Sequence, residues 1–422
     1  MNIAMISYHT CPLATLGGKN TGGMNVYVRE LTRFLGREGI HVDVFTRSQD
    51  DHIPQVSHDL GYFNRVVHIP AGPETFLPKT QLAGYTRDMA KGIMDFAVRK
   101  KIRYDLVHAH YWMSGMAGRV LKETWNIPLL QMFHTLGKMK QRIGRTPEER
   151  EGEYRLKGEQ GVMESADLIV AATQAERLQL ETLYEVNRQK TTIIPPGVDT
   201  HHFYPIPMDE AKEAIGIPHA DRMALFVGRI EPLKGLDTLI KAMAIVKKKC
   251  KTFVCPHYLV IIGGDPEGKE EEITQEMKRL QTLCETLGLD EIVLFLGKRS
   301  QNMLPYYYSA AEVVVMPSHY ESFGMVALEA MACGTPVIAS RVGGLAYLVK
   351  EGVTGFFVPA QDPEALAEKL RLLFNDQNLR DGFGAQASEY ARQFSWETIT
   401  KQIINVYQEL LALPGDSPIK RH

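Results

Sequence analysis

Short apolar runs alternate with longer stretches of helical periodicity along almost the whole chain, and that alternation restricts the fold more than any other feature. A strand buried on both faces reads as a continuous apolar run, and its return to a parallel neighbour needs a crossover, usually a helix. The pattern therefore predicts parallel sheets covered by helices on both sides, an α/β class. In the first half, strands are expected at Ile3–Ser7, Val42–Thr46, Leu106–Ala109, Pro128–Phe133 and Leu168–Ala171, with helices near Met24–Arg37, Lys79–Lys100 and Gly158–Ser165. The pattern breaks at Thr192–Pro205, where Pro195, Pro196 and Gly197 can continue neither a helix nor a central strand. It then resumes with strands expected at Met223–Val227, Tyr258–Ile262, Ile292–Phe295, Val313–Met316, Val337–Ala339 and Phe356–Val358. At 422 residues the chain exceeds what one core usually serves. The expectation is two doubly wound Rossmann-like domains at 1–192 and 206–394, a linker at 193–205, and a terminal helix within 395–422, where Ile399, Ile403, Ile404, Tyr407 and Leu410 recur at helical spacing.

Charge and cysteine usage narrow the function. The 48 Lys and Arg nearly balance the 50 Asp and Glu, so no global field marks a nucleic-acid or anionic-membrane binder, and local basic sites must do any anion recognition. Cys11, Cys250, Cys255, Cys284 and Cys333 are odd in number and scattered, which fits a reducing cytosol better than a disulfide framework. Cys250 and Cys255 lie close together but lack a second ligand pair, so they read as ordinary small apolar residues. With neither a leader pattern nor a run of about 20 apolar residues, a cytoplasmic protein without a membrane span is expected.

Ligands of doubly wound sheets sit beyond the carboxyl ends of the strands, which singles out five segments. Residues 317–340 carry Glu321 and Glu329 on either side of the Phe323-Gly324 turn, which opens an apolar helix through Met325 and Val326 and ends at Gly334-Thr335-Pro336. Backbone N–H groups left unpaired at such a helix start favour an anion. Taken alone, two glutamates eight apart also suit a helix facing water. Gly228-Arg229 with Lys234-Gly235 supplies close backbone approach, a bidentate fork and a point charge. Gly297-Lys298-Arg299 follows a further strand and is equally well a simple turn. In the first half, Gly22-Gly23-Met24-Asn25 begins a helix after a long loop, and the fifth is a pair of strand ends, His108-Ala109-His110-Tyr111 with His134-Thr135-Leu136-Gly137-Lys138.

The register of Phe-Gly, Glu-Ala and Gly-Thr-Pro between and after the two glutamates resembles the signature of family-4 retaining glycosyltransferases, and the resemblance covers nearly the full chain. It implies the GT-B fold, with the two Rossmann-like domains facing a central cleft and the terminal helix returning to the first domain. It implies a nucleotide-sugar site in the second domain formed by Gly228, Arg229, Lys234, Lys298, Arg299, Glu321, Phe323, Gly324, Met325, Val326 and Glu329, with Gly23 joining from the first. It also implies an acceptor site in the first domain at Gly22, Met24, Asn25, Lys79, His110, Tyr111, Thr135, Lys138 and Arg155. Catalytic roles fall to Arg229, Lys234, Glu321 and His134. Within the family the chain resembles sucrose-phosphate synthase first, through Ala71-Gly72-Pro73 and Phe76-Leu77-Pro78-Lys79, and second the inositol-phosphate N-acetylglucosaminyltransferase of mycothiol synthesis, through the Gly22–Tyr27 segment. The expected reaction is hexose transfer from UDP-glucose to fructose 6-phosphate, or N-acetylglucosamine transfer to inositol phosphate, with no cofactor beyond the nucleotide sugar and no metal. A non-catalytic sugar-nucleotide sensor is the remaining reading. An oxidoreductase is disfavoured because no Gly-x-Gly-x-x-Gly follows the first strand.

Overall fold

The computed structural model describes residues 1–14, 22–144, 152–249, 257–264 and 275–412. The Cys250–Cys255 pair lies outside them. The described residues form two compact units. One runs to Pro196 and includes the terminal segment from Trp396, and the other is Gly197–Ser395.

The first unit is built on an eight-stranded sheet: β1 (Asn2–Ile6), β2 (His41–Arg47), β3 (Val56–Ser57), β4 (Arg65–Ile69), β5 (Leu106–His110), β6 (Leu129–Met132), β7 (Leu168–Ala171) and β8 (Thr191–Ile193), in the order β3-β4-β2-β1-β5-β6-β7-β8. All pairings are parallel except β3 with β4. Strands β5, β6 and β7 are buried at every residue, which is why they read as unbroken apolar runs. The order reverses at β1 and β5, and this switch point fixes where loops can splay apart to leave a ligand crevice.

The second unit has six parallel strands: β9 (Arg222–Val227), β10 (His257–Ile262), β11 (Val293–Gly297), β12 (Val313–Met316), β13 (Val337–Ser340) and β14 (Gly355–Val358), in the order β11-β10-β9-β12-β13-β14. Its switch point lies between β9 and β12.

Two differences from the sequence pattern are instructive. The helix expected over Lys79–Lys100 is divided into Lys79–Leu82, a 3-10 turn at Ala83–Tyr85, and Thr86–Lys100. The split gives Lys79 a short element of its own at the end of the loop after β4. Strand β4 went unseen because Arg65 and His68 interrupt its apolar run, yet Arg65 is held by Asp43 of β2 through paired bonds of 2.7 Å. The terminal helix, Trp396–Ala412, belongs to the first unit. It buries Ile399, Ile403, Val406, Tyr407 and Leu410, and Trp396 meets Tyr27 of the helix Gly23–Arg37 edge to face at 5.3 Å. Among the described residues no helix is long and apolar enough to cross a membrane.

Candidate functional site

In the second unit the loops after β9 and β12 meet at the switch point. Lys234 Nζ lies 2.5 Å from Glu321 Oε2, and Arg229 is paired with Glu231 at 2.6 Å. The His319 N–H donates to the Leu233 carbonyl at 2.8 Å, tying the two loops together. Gly235 explains why they can approach so closely: at φ +67, a Cβ on it would sit 2.1 Å from the Pro317 carbonyl oxygen. Glu321 is positioned by its own carbonyl, which accepts from Gly344 N–H at 2.8 Å, and a Cβ on Gly344 would lie 2.3 Å from Phe323 Cα.

Gly324, at φ +105, caps the helix Met325–Ala332, whose first N–H groups follow the Glu321–Gly324 turn. The Phe323 ring is buried and packs on Phe394 at 6.2 Å, so only its main chain can serve a ligand. Glu329, one turn into the helix, is buried and accepts from Tyr308 Oη at 2.7 Å. That bond fixes the orientation of its carboxylate. Lys298 and Arg299 are exposed at the carboxyl end of the edge strand β11, where Arg299 Nε reaches Tyr307 Oη at 3.3 Å.

These pairs show how the site can take an anion. The four side chains involved are 17% to 42% exposed, a setting in which an ion pair is worth about 0–1 kcal/mol. A charge-assisted bond to phosphate contributes about 1.5–3 kcal/mol, so a diphosphate can displace Glu231 and Glu321 from the two cations.

Sequence reasoning missed Gly263, Ser318 and Gly343. A Cβ on Gly263 would lie 1.8 Å from the Gly228 carbonyl oxygen and one on Gly343 2.0 Å from that of Glu321. Ser318 Oγ is buried with no hydrogen-bond partner among the described residues. The signal was available: Gly263-Gly264 and Gly343-Gly344 each closely follow an apolar strand.

The first unit gathers cations around one ring. Tyr111, at the end of β5, is buried, with Lys79 Nζ 5.7 Å and Arg155 Cζ 5.0 Å from its ring centroid. His9 lies against the same ring, tilted, with centroids 4.4 Å apart. Its pKa is driven well below the usual histidine range by burial and then by its neighbours Lys79, His134, Arg155 and Lys140. His9 and Lys140 therefore join the cluster, although sequence reasoning assigned neither to it. Tyr111 has φ +76 and ψ 157, a conformation costing a non-glycine residue about 1–3 kcal/mol. It is held there by bonds from its N–H to Met132 and to its carbonyl from Gly115 and Gln131.

Arg155 is fully buried. Its Nε donates to Glu159 at 2.8 Å and its Nη2 to the carbonyl and hydroxyl of Thr135 at 2.9 and 3.0 Å. Glu159 also accepts from Gly137 N–H at 3.0 Å and from Tyr184 Oη.

Two expected acceptor residues have other work in this structure. Lys138 donates to the Leu183 carbonyl and lies 4.5 Å from the Tyr184 ring centroid, at the end of the helix Gln174–Tyr184. Basic side chains favour such a terminus because its carbonyls lack helical partners. Asn25 is buried and spends its amide on Thr10 Oγ1 and the Cys11 carbonyl, both at 2.7 Å, while its oxygen accepts from Gly22 N–H at 3.0 Å. It clamps the loop after β1. Gly22 is extended at φ −179, Gly23 is exposed and Met24 is half-buried.

Histidines line the sheet behind the cluster. His110 Nδ1 is 3.0 Å from His134 Nε2, the tilted rings of His108 and His110 are 4.2 Å apart, and His108 Nδ1 is 2.8 Å from Tyr407 Oη. Burial lowers the pKa of His108 and His134 to about 3, and holds that of His110 well below the ordinary value. A histidine depressed in the native state stays neutral while its unfolded counterpart protonates below about pH 6.5. Native stability is then whole above that pH and is lost as pH falls toward the folded pKa. Each such histidine contributes a slope of about 1.4 kcal/mol per pH unit. Glu176, raised to about 7 by burial, opposes one of them. Urea unfolding is therefore expected to show stability dropping steeply from pH 6.5 to 5; a flat profile would contradict neutral imidazoles.

A model of "Glycosyltransferase Family 4" matches residues 21–202 and one of "Glycosyl transferases group 1" matches 207–390. A D-inositol 3-phosphate glycosyltransferase of Corynebacterium urealyticum is 37% identical, with 100% of this chain and 99% of that one covered. The chain is a family-4 glycosyltransferase of the GT-B fold. A solved sucrose-phosphate synthase from Thermosynechococcus elongatus superposes with a TM-score of 0.87 at 34% identity, covering 97% of this glycosyltransferase and 99% of that chain. The Anabaena protein HepE in complex with UDP-glucose, 22% identical with a TM-score of 0.73 over 97% of this chain and 100% of its own, shares the fold. The glycosyltransferase is thus a hexosyltransferase of retaining type.

Proposed function

We propose that this glycosyltransferase moves a hexose, N-acetylglucosamine in the first instance, from its uridine diphosphate carrier to an inositol phosphate. The observation that carries the phosphorylated acceptor is the convergence of Lys79 and Arg155 on the Tyr111 ring. Two cations beside one tyrosine can each give a phosphate a charge-assisted hydrogen bond. The sequence pattern ranked fructose 6-phosphate first, and the names of the sequence relatives reverse that order. Sucrose 6-phosphate formation stays as a second reading because the sucrose-phosphate synthase is 34% identical over nearly the whole chain.

In this reading Arg229 and Lys234 hold the diphosphate, Glu329 the ribose hydroxyls and Glu321 the donor sugar. His134 contacts the sugar or its phosphate. The bond from anomeric carbon to β-phosphate oxygen breaks with its electron pair going to that oxygen, which takes the proton of the acceptor hydroxyl. The acceptor oxygen bonds the anomeric carbon on the same face. The two cations stabilise the departing diphosphate, so neither a covalent nucleophile nor a metal is required.

The test is a matrix of UDP-glucose and UDP-N-acetylglucosamine against inositol 3-phosphate and fructose 6-phosphate. Fastest release of UDP is expected with the N-acetylglucosamine and inositol phosphate pair. Preference for UDP-glucose with fructose 6-phosphate would install the second reading, and equal rates with unphosphorylated acceptors would remove the phosphate site.

A further inference from the structure

Arg47 ends β2 and is 2% exposed, and among the described residues its guanidinium hydrogen-bonds to carbonyls and not to a carboxylate. The group reaches across to the loop after β4. Its Nε donates to the Ala71 carbonyl at 2.8 Å, its Nη1 to the Thr75 carbonyl at 3.0 Å, and its Nη2 to the Pro73 carbonyl. That loop has no regular structure until Lys79, so its carbonyls need partners from elsewhere. A planar fork with divergent N–H groups can serve three carbonyls at once; a lysine ammonium cannot span them. Tyr8, at the end of the neighbouring strand β1, completes the clamp by donating from Oη to the Leu82 carbonyl at 2.8 Å. Gly72 lets the loop turn beneath Tyr85: at φ +71, a Cβ on it would meet that ring at 2.6 Å.

The loop ends on the residue whose ammonium stands by Tyr111. We infer that Arg47 is a positioning residue for acceptor-phosphate recognition, setting the place of Lys79 by fixing the 71–75 backbone. The inference rests on the phosphorylated-acceptor reading and adds to it a residue that touches no substrate. Pro73 and Thr75 are themselves exposed, so when the clamp is removed water can satisfy part of what it held. The loop then shifts while the sheet beneath it stands.

The experiment is a double-mutant cycle on the full chain, Arg47→Met with Lys79→Met, reading KM for the phosphorylated acceptor, KM for the nucleotide sugar, and kcat. Arg47→Met is expected to raise the acceptor KM about tenfold, with the donor KM within about twofold. The double variant is expected to be little worse than Lys79→Met, because residues acting through one contact are not additive. Arg47→Lys, which keeps the charge but not the fork, should fall near Arg47→Met, and it takes that variant's place in the cycle if Arg47→Met fails to fold. Fully additive effects, or equal losses for donor and acceptor, would overturn the positioning role. Lys79→Met with an unchanged acceptor KM would instead remove the phosphate-site reading.

Discussion

Lys234→Ala is expected to lower kcat about a hundredfold or more, the range seen when one preorganised donor to a developing oxyanion is removed. The physical case is specific to this position. Lys234 lies in the 3-10 turn Pro232–Lys234 directly after the β9 loop, and its ammonium is aimed at the switch point by the 2.5 Å contact with Glu321. When the sugar–phosphate bond breaks, negative charge grows on the β-phosphate oxygen, so a cation there binds the transition state better than the ground state and acts on kcat. Removing Lys234 also leaves Glu321 without that counter-charge beside the incoming diphosphate. The acceptor KM should stay within about twofold, since the cations proposed for the acceptor belong to the other unit. Arg229→Ala should act in the same direction but less, about ten- to a hundredfold, because its guanidinium is more exposed and partly screened. Steady-state kinetics with saturating acceptor decides the matter. A Lys234→Ala variant that turns over within threefold of the parent would show that the leaving group is stabilised elsewhere.

Glu159→Leu is expected to destabilise the first unit by about 3–5 kcal/mol, the cost of leaving a buried charge without its partner. Arg155 and Glu159 are both 0% exposed, one helical turn apart, and Glu159 gathers Gly137 N–H and Tyr184 Oη as well. Its loss strands three donors rather than one. Glu159→Gln retains an acceptor of similar shape and should cost less, as the difference between a charged and a neutral bond. Equilibrium urea unfolding of the two variants gives the comparison. A change below about 1 kcal/mol in Glu159→Leu would mean that Arg155 finds another partner. The same change should weaken phosphorylated-acceptor binding, because Arg155 would no longer be aimed at Thr135 and the Tyr111 ring.

The two roles of Arg155 illustrate how much of the site was legible beforehand. Its motif resembles positions expected to hold an acceptor phosphate, but nothing in the spacing showed that its Nε is spent on Glu159, four residues along the same helix. Lys138 and Asn25 shared the same kind of signal and yet serve a helix end and a loop. A cation beside a strand end looks the same in sequence whether its side chain turns to a ligand or to a carbonyl, because the choice depends on what the rest of the fold leaves unpaired. His9 and Lys140 escaped for the converse reason: His9 lies against Tyr111 and Lys140 acts on His9, and their immediate neighbours in sequence do not show it.

What the amino-acid sequence determined on its own was the pair of α/β units and the strand ends at which chemistry could sit. Apolar runs, crossover helices and the glycine-bearing turns after strands are local consequences of burial and backbone freedom, readable within a few residues. Only the tertiary structure decided which cations converge on Tyr111, that Glu321 meets Lys234, and that Arg47 holds the loop leading to Lys79. Those partnerships join residues from different strands and loops, and they are fixed by strand order and side-chain packing, which local periodicity does not encode.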